Sequence, residues 1–473
     1  MIEVDYRIID IGSTYTKQRL ISNCNLIASC QSPTTIDNVF DGILKGKDKF
    51  IKDIGENDFV AKNTLASSSA GGGLRMVAMG YMARVTSKAA KEVAMNSGAK
   101  ILEILSHNDS NEYRLEILRE IDPDIILLAG GTDYGDESSI IENAGIIIKS
   151  KVKSFVVVAG NISAQDEISE ILTSGDIGYK IVPNIMPNIH TLEVDKAREA
   201  IHKEFIKQII KAKGLNEILN VISNDIIIPT PGAVLRGAEL LAKGTMQEDG
   251  LGEIVVIDLG GATTDIHSIM PMFEKLSNEE LGLIVSNDKQ ISYRTVEGNI
   301  GLRISATGIL SYINPKGYLA KKSLESKDDL KRFIEYCRSL EKDPERLPKT
   351  EYESTFDSII AEACVEIAIK RHAGYISKTA DPVLGIVPGM PVGRDLRRVK
   401  KIVAVGGIFA HSSIERSKEI VKNALENRGV SLLPENFEII IDKSYLLYAV
   451  GVIDSVDKEY AFQILKSNFY GRE

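Results

Sequence analysis

A short buried strand that ends in aspartate and turns at once through glycine occurs twice in this chain, and that repetition narrows the fold more than any other feature. The first copy, IIDIGSTYTK at residues 8–17, ends its strand in Asp10, turns through Gly12, Ser13 and Thr14, and leaves on a second strand near Lys17. The second, IVVIDLGGATTDIHS at residues 254–268, repeats the strand, the terminal Asp258 and a Gly260–Gly261 turn, followed by Thr263, Thr264 and Asp265. Such a recurrence predicts an internal structural duplication. Glycine and small hydroxyl residues let a tight hairpin bring its backbone N–H groups close to phosphate oxygens. The aspartate does not bind phosphate itself, but it holds Mg²⁺ through ordered water. Two facing hairpins of this kind would grip one polyphosphate from both sides. A third element, KIVAVGGIFAHS at residues 401–412, ends a strand in Gly406–Gly407 before a helix, where absent side chains let a flat base pack on the backbone.

Composition removes several competing classes. The 473 residues carry 57 Lys+Arg against 66 Asp+Glu, a formal charge of −9, whereas phosphate-backbone binding needs a basic face. Hydrophobic residues at 44% and charged residues at 26% give an ordinary globular balance, and about 150 residues per domain predicts roughly three compact units. With aromatics at 6% and no Trp, there is little material for base-stacking platforms. The start, MIEVDYRIID, lacks the basic and apolar regions of a signal peptide, and no apolar run approaches the roughly 18 residues of a membrane span, so the expectation is a cytoplasmic protein with no membrane contact. Cys24, Cys30, Cys337 and Cys364 are scattered, with no zinc or disulfide spacing.

Along the chain, residues 6–36 read as three short strands of a meander. Residues 61–190 alternate apolar strand-like runs with helical segments, which predicts a parallel, helix-covered sheet. A bridging surface helix is expected from Val194 to near Gly214, a small-residue helix over residues 228–244, and a helical, Lys/Glu-rich stretch over residues 317–381. The domain reading is therefore 1–227, a connecting helix at 228–250, a second lobe at 251–445, and a C-terminal connecting helix and tail at 446–473.

Taken in order, these motifs resemble the ATPase superfamily of actin, hexokinase and the heat-shock-chaperone nucleotide domain. IIDIGSTYTK resembles its first phosphate motif, residues 228–244 its first connecting helix, VIDLGGATTD its second phosphate motif, VAVGGIF its adenosine motif, and LLYAVGVIDS from Leu446 its second connecting helix. EGNIGLR at residues 297–303, with Gly298, resembles a further loop beside the nucleotide. The resemblance implies an α/β, actin-like (ribonuclease H-like) fold, two related lobes around a nucleotide cleft, with ATP and Mg²⁺ as cofactors. Asp10 and Asp258 would then hold the metal, with Asp265 helping to place the attacking water or the metal. Gly12, Ser13, Thr14, Lys17, Gly260, Gly261, Thr263, Thr264, Gly298, Gly406 and Gly407 would contact the nucleotide.

A narrower resemblance lies between those motifs. TLASSSAGGGLRMVAMGYMARVTSKAAKEVAMNSGAK (64–100), IILLAGGTDYGDES (125–138), VVAGN (157–161) and VEGNIGLR (296–303) are similar to the MutL/GlmL-type accessory proteins of adenosylcobalamin-dependent glutamate mutase. That family implies a chaperone-like reactivating factor: ATP binding and hydrolysis drive a mutase partner to release damaged cobalamin. Shifting a two-state equilibrium from 1:99 to 99:1 takes about 5.5 kcal/mol of differential binding, within reach of closure around ATP. Direct cobalamin binding is not expected, since a DxHxxG signature is missing.

The main alternative is a small-molecule kinase on the same fold, with Asp133 or Asp136 in GGTDYGDES as substrate-side base, although that loop reads equally as a solvated turn. A reductase activator would need closely placed cluster thiolates, and a filament former would associate head to tail. SSSAGGGLRM (67–76) lacks the P-loop lysine and reads as a flexible turn through Gly71, Gly72 and Gly73. The histidines, His190, His202 and His267 among them, are isolated from any metal or triad pattern.

Overall fold

The computed structural model describes residues 2–12, 15–33, 39–54, 58–68, 74–82, 86, 89–90, 93–94, 99–188, 192–210, 221–223, 227–277, 290–380 and 386–470. The chain divides into two units, Met1–Ala233 and Val234–Glu473.

The first unit runs β1 (Ile2–Ile11), β2 (Tyr15–Ser22), β3 (Asn25–Pro33), α1 (Val39–Ile54), β4 (Phe59–Ser68), β5 (Leu74–Gly80), β6 (Ala99–Ser106), α2 (Asn111–Ile121), β7 (Ile125–Leu128), α3 (Ser138–Ser150), β8 (Phe155–Val158), α4 (Gln165–Ser174), β9 (Tyr179–Ile181), α5 (Asp195–Ile210) and β10 (Ile227–Pro229). The boundary between units falls inside the next helix, α6 (Thr230–Lys243). One sheet has the order β10-β4-β1-β2-β3, in which β1, β2 and β3 are antiparallel neighbours and β4 and β10 are parallel additions. A second, wholly parallel sheet has the order β6-β5-β7-β8-β9. Its strands IILL and VVV of β7 and β8 are buried without interruption, as a sheet with both faces covered requires.

The second unit continues with β11 (Ile254–Leu259), β12 (Thr264–Ile269), α7 (Met272–Lys275), β13 (Ser292–Glu297), α8 (Pro315–Lys321), α9 (Lys327–Lys342), α10 (Glu351–His372), β14 (Tyr375–Ile376), β15 (Pro391–Val392), β16 (Lys401–Gly406), α11 (Gly407–His411), α12 (Ile414–Glu426), β17 (Glu438–Ile441), α13 (Leu447–Ile453) and α14 (Lys458–Phe469). Its main sheet is β13-β12-β11-β16-β17. Read from the other edge, this is the arrangement of the first unit: a three-strand antiparallel meander, then two parallel strands. The duplication expected from two motifs thus extends over five strands in each unit. One face of this sheet, through Val255, Ile257, Leu259 and Ile266, joins a buried core with Phe356, Ile360 and Cys364 of α10 and Phe333 of α9.

Three boundaries differ from the sequence reading. The strand at the start of the 61–190 block, β4, pairs in parallel with β1, so the separate parallel sheet starts only at Leu74. Residues 228–244 open as strand β10; the helix begins at Thr230 because Pro231 fits only in a first turn. The C-terminal segment is two helices, with α13 ending at Ile453 and Asp457 capping α14 through the Tyr460 N–H at 3.0 Å. The predicted end of the bridging helix near Gly214, the triple glycine 71–73 and His190 lie outside the described residues. No helix among the described residues is long and apolar enough to cross a membrane.

Candidate functional site

Both hairpin turns close in the same way. The Gly12 N–H donates to the Tyr15 carbonyl at 3.0 Å, and the Gly260 N–H donates to the Thr263 carbonyl at 2.9 Å. A Cβ would lie 2.5 Å from that oxygen at Gly12 and 3.0 Å from it at Gly260, so the first turn has no room for a side chain and the second very little. The N–H of each leading glycine is therefore spent on the turn. In the second turn, the Gly261 and Ala262 N–H groups make no hydrogen bond among the described residues, so these are the donors left for an anion. Ser13 and Thr14 lie outside the described residues.

Asp10 is 2% exposed at the end of β1, opposite Lys17 on β2 and Ser67 on β4. Its Oδ1 accepts from Ser67 Oγ at 3.0 Å and from Thr230 Oγ1 at 2.6 Å, while Oδ2 lies 3.7 Å from Lys17 Nζ. Ser67 and Thr230 escaped the sequence reading, because β4 and the start of α6 reach Asp10 only through nonlocal parallel pairing. This carboxylate is oriented by two hydroxyls and one ammonium. Among the described residues no group of three or more His, Cys, Asp or Glu could form a metal cage. That donor set fits Mg²⁺ kept by water and phosphate oxygens, the usual way this ion is held, rather than by the protein alone.

In the second unit, Asp258 stands opposite Asp265 in the β11–β12 ladder. Arg294, from β13, donates to Asp265 Oδ1 through Nε at 2.9 Å and Nη2 at 2.6 Å, and Thr263 Oγ1 donates to Oδ2 at 3.2 Å. The guanidinium offsets the repulsion between two carboxylates on neighbouring strands. Next to it, burial and the Arg294 charge hold the His267 imidazole well below its ordinary titration range.

Thr264 is placed differently from Thr263 and Asp265. It is fully buried and its hydroxyl donates to the Ile300 carbonyl at 2.9 Å, since alternate strand residues face opposite sides and Thr264 faces the core. The loop it holds is seated on the second turn: Leu302 N donates to Gly260 O at 3.0 Å, and Arg303 N and Ile304 N donate to Gly261 O at 2.8 Å each. Gly298 lies on the turn after β13, whereas Gly301 makes the close approach, where a Cβ would be 2.5 Å from the Ala262 carbonyl carbon. Gly406, paired with Leu259, adopts φ +139°, and a Cβ there would be 2.3 Å from the Leu259 carbonyl oxygen. Beside it, Gly407 faces open space. Gly260, Gly261, Thr263, Gly301, Gly406 and Gly407 therefore gather at one end of one sheet.

A five-strand meander-plus-parallel sheet present twice, each copy with an Asp–Gly turn at the same strand junction, defines the actin-like class of α/β folds. Within that class the chain belongs to the MutL family, whose model, described as MutL protein, matches residues 6–469. Protein MutL of Clostridium tetanomorphum is 36% identical over 472 residues, covering 98% of this chain and 98% of that one. Among solved structures, nucleotide-free acetone carboxylase matches 95% of this chain and 70% of its own at 13% identity and a TM-score of 0.43. A ligand-bound xylulose kinase from Lactobacillus acidophilus matches 97% and 92% at 14% identity and a TM-score of 0.33. Likenesses this low carry no argument about what this chain binds.

Proposed function

We propose that the protein is an ATP-dependent accessory factor that reactivates an adenosylcobalamin-dependent mutase, glutamate mutase or a related aminomutase, by using ATP binding and hydrolysis to release damaged cobalamin. The observation that carries the ATPase half is the Asp–Gly turn built twice to one geometry, with Asp10 held by Ser67, Thr230 and Lys17 in one copy. Family membership supports the accessory half. In this reading the turns at Gly12 and at Gly260, Gly261 and Thr263 cradle phosphate oxygens, and the bare backbone at Gly406–Gly407 receives the base. Asp10 and Asp258 would hold Mg²⁺, which would supply charge neutralisation to the phosphates. Asp265, fixed by Arg294, orients the groups around Asp258.

The candidate bases of the kinase alternative carry loop contacts of their own. Asp133 Oδ1 accepts from the Ile162 N–H at 3.1 Å and from Asn184 Nδ2 at 2.9 Å, and Asp136 accepts from Ser138 Oγ at 2.8 Å and the Ser139 N–H at 3.2 Å at the start of α3. Both carboxylates are occupied in holding their own loop.

The test is ATP binding and hydrolysis by wild type, Asp10→Ala and Asp258→Ala, with and without an inactivated adenosylcobalamin mutase from the same source. The reading requires that wild type hydrolyse ATP, that both variants lose turnover, and that the mutase recover only with wild type and ATP. Absence of ATP binding ends it, and phosphorylation of a small metabolite puts the kinase in its place.

A further inference from the structure

We propose that the imidazole of His411 stacks on the nucleotide base and holds it against the bare backbone at Gly406–Gly407. This rests on the ATP reading above and adds to that site a side chain that takes no part in the phosphate chemistry.

The helix α11 has two unlike sides. Ile408 (8% exposed) and Phe409 (fully buried) belong to the same core as Val255 and Phe356, whereas Gly407 and His411 are exposed and Ala410 is half-buried. Residues 407, 410 and 411 are spaced i, i+3 and i+4, so they share the outer side of this short helix. A helical side chain slants toward the helix N-terminus and covers the turn before its own Cα. For His411 that turn begins at Gly407, where a Cβ would meet nothing within 4 Å. An aromatic ring therefore borders an open space floored by backbone, and Ala410 adds only a methyl group beside it.

The platform is fixed while the ring is not. Gly406, at φ +139°, closes on the Leu259 carbonyl with no room for a Cβ. At the other end, Lys443 from the loop after β17 donates through Nζ to the carbonyls of Phe409, at 3.3 Å, and of Ser412, a placement that a helix C-terminus favours for a cation. Ser417 Oγ also donates to the Phe409 carbonyl, at 3.3 Å. The His411 side chain makes no hydrogen bond, ion pair or ring contact among the described residues. Its ring is committed to nothing in the packing of the second unit.

Position and chemistry select the ligand. β16 pairs with β11, whose end carries the turn at Gly260–Gly261, and neighbouring strands lie about 4.8 Å apart, so α11 starts one strand spacing from the phosphate turn. A sugar or a carboxylate needs polar side chains to bind it, and Gly407 and Ala410 supply none. A flat aromatic heterocycle needs only a bare floor and a ring to stack on, and histidine is one of the side chains on which bases stack.

The experiment titrates the full chain with ATP and with ADP, each with Mg²⁺, for wild type, His411→Ala, His411→Leu and His411→Phe, and records a thermal melt of each protein without nucleotide. The four melts are expected to coincide, because residue 411 is exposed. His411→Ala and His411→Leu are expected to weaken ATP and ADP alike by about tenfold, the scale of one base–aromatic stack, and His411→Phe to bind as wild type. Equal affinities for the alanine and phenylalanine variants overturn the stacking and leave the ATP reading intact. Leucine that binds as well as phenylalanine also overturns it, because the residue then only fills space. A loss confined to ATP overturns it as well, by placing His411 at the terminal phosphate instead of the base. Wild type that binds neither nucleotide overturns the ATP reading itself, and the base contact with it.

Discussion

Arg303 and Asp357 form a two-pronged ion pair, Nη1–Oδ1 at 3.1 Å and Nη2–Oδ2 at 2.7 Å, while the Arg303 backbone N–H donates to the Gly261 carbonyl. One residue thus ties the second Asp–Gly turn to the long helix α10. Tyr336 adds a third bond to Asp357 Oδ1 at 2.9 Å, and the two charged side chains are only 14% and 4% exposed.

Asp357→Asn leaves the Arg303 guanidinium without its counter-charge in a nearly dry site, a change that costs about 3–5 kcal/mol for a buried pair. Because Arg303 also seats the turn, ATP affinity should fall roughly tenfold, about 1.4 kcal/mol. Urea denaturation and an ATP titration on the same preparation check both. A loss of stability with unchanged ATP affinity would show that the ion pair supports the core and not the turn.

Thr230 tests the orientation of Asp10. Its hydroxyl is one of two that fix Oδ1, so Thr230→Val should lower ATP turnover by on the order of tenfold, whereas Thr230→Ser, which keeps the donor, should retain most of it. Steady-state hydrolysis of the three proteins decides. Equal rates for Val and wild type would mean that Ser67 and Lys17 suffice to place the carboxylate.

The two turns were legible in the sequence because their requirements are local: an apolar strand, an aspartate, and a glycine where a Cβ would strike the carbonyl three residues on. The groups that finish the site were not. Ser67 lies in a serine run, Thr230 opens a segment that reads as plain helix, and Arg294 sits in an ordinary polar-apolar strand; each meets its aspartate across a ladder or at a helix start that no spacing encodes. Thr264 stands apart from the other residues of its turn. Strand alternation puts it on the face opposite Thr263 and Asp265, and that face is the core. The parallel sheet was visible as alternating strand and helix, but the allegiance of β4 to the first sheet depends on pairing with β1, far earlier in the chain.

Gly406 and Gly407 are neighbours with opposite tolerances. At Gly406 a methyl group meets the Leu259 carbonyl at 2.3 Å and the backbone is at φ +139°, so Gly406→Ala should destabilise the second unit by about 2–3 kcal/mol. At Gly407 it meets nothing within 4 Å, and as the first residue of α11 the alanine should leave thermal stability within about 0.5 kcal/mol. If the base packs on this backbone, Gly407→Ala nevertheless weakens ATP binding. Comparing thermal melts with ATP titrations separates the two effects, and an unaltered ATP affinity for Gly407→Ala would remove Gly407 from the nucleotide site.

Two buried imidazoles give the second unit a pH dependence with a definite sign. His267 is fully buried, and neither ring nitrogen has a hydrogen-bond partner among the described residues; His372 bonds Thr295 Oγ1 and Ser268 Oγ at 2.8 Å each. Burial first, then Arg294 for His267 and Arg394 for His372, holds both well below the ordinary 6.5, so both are neutral in the folded chain near neutral pH. On unfolding each regains its ordinary affinity for a proton. Below about pH 6.5 the unfolded chain therefore binds protons that the folded chain does not. Their contribution to stability is fully present above that pH and falls by about 1.4 kcal/mol per pH unit for each histidine as the pH drops toward the folded values. Urea denaturation between pH 7.5 and 5.5 should show this decline, and His267→Leu, which replaces an unpaired buried ring by an apolar side chain, should remove about half of the part due to these two groups. A slope identical in His267→Leu and wild type would place the proton uptake elsewhere.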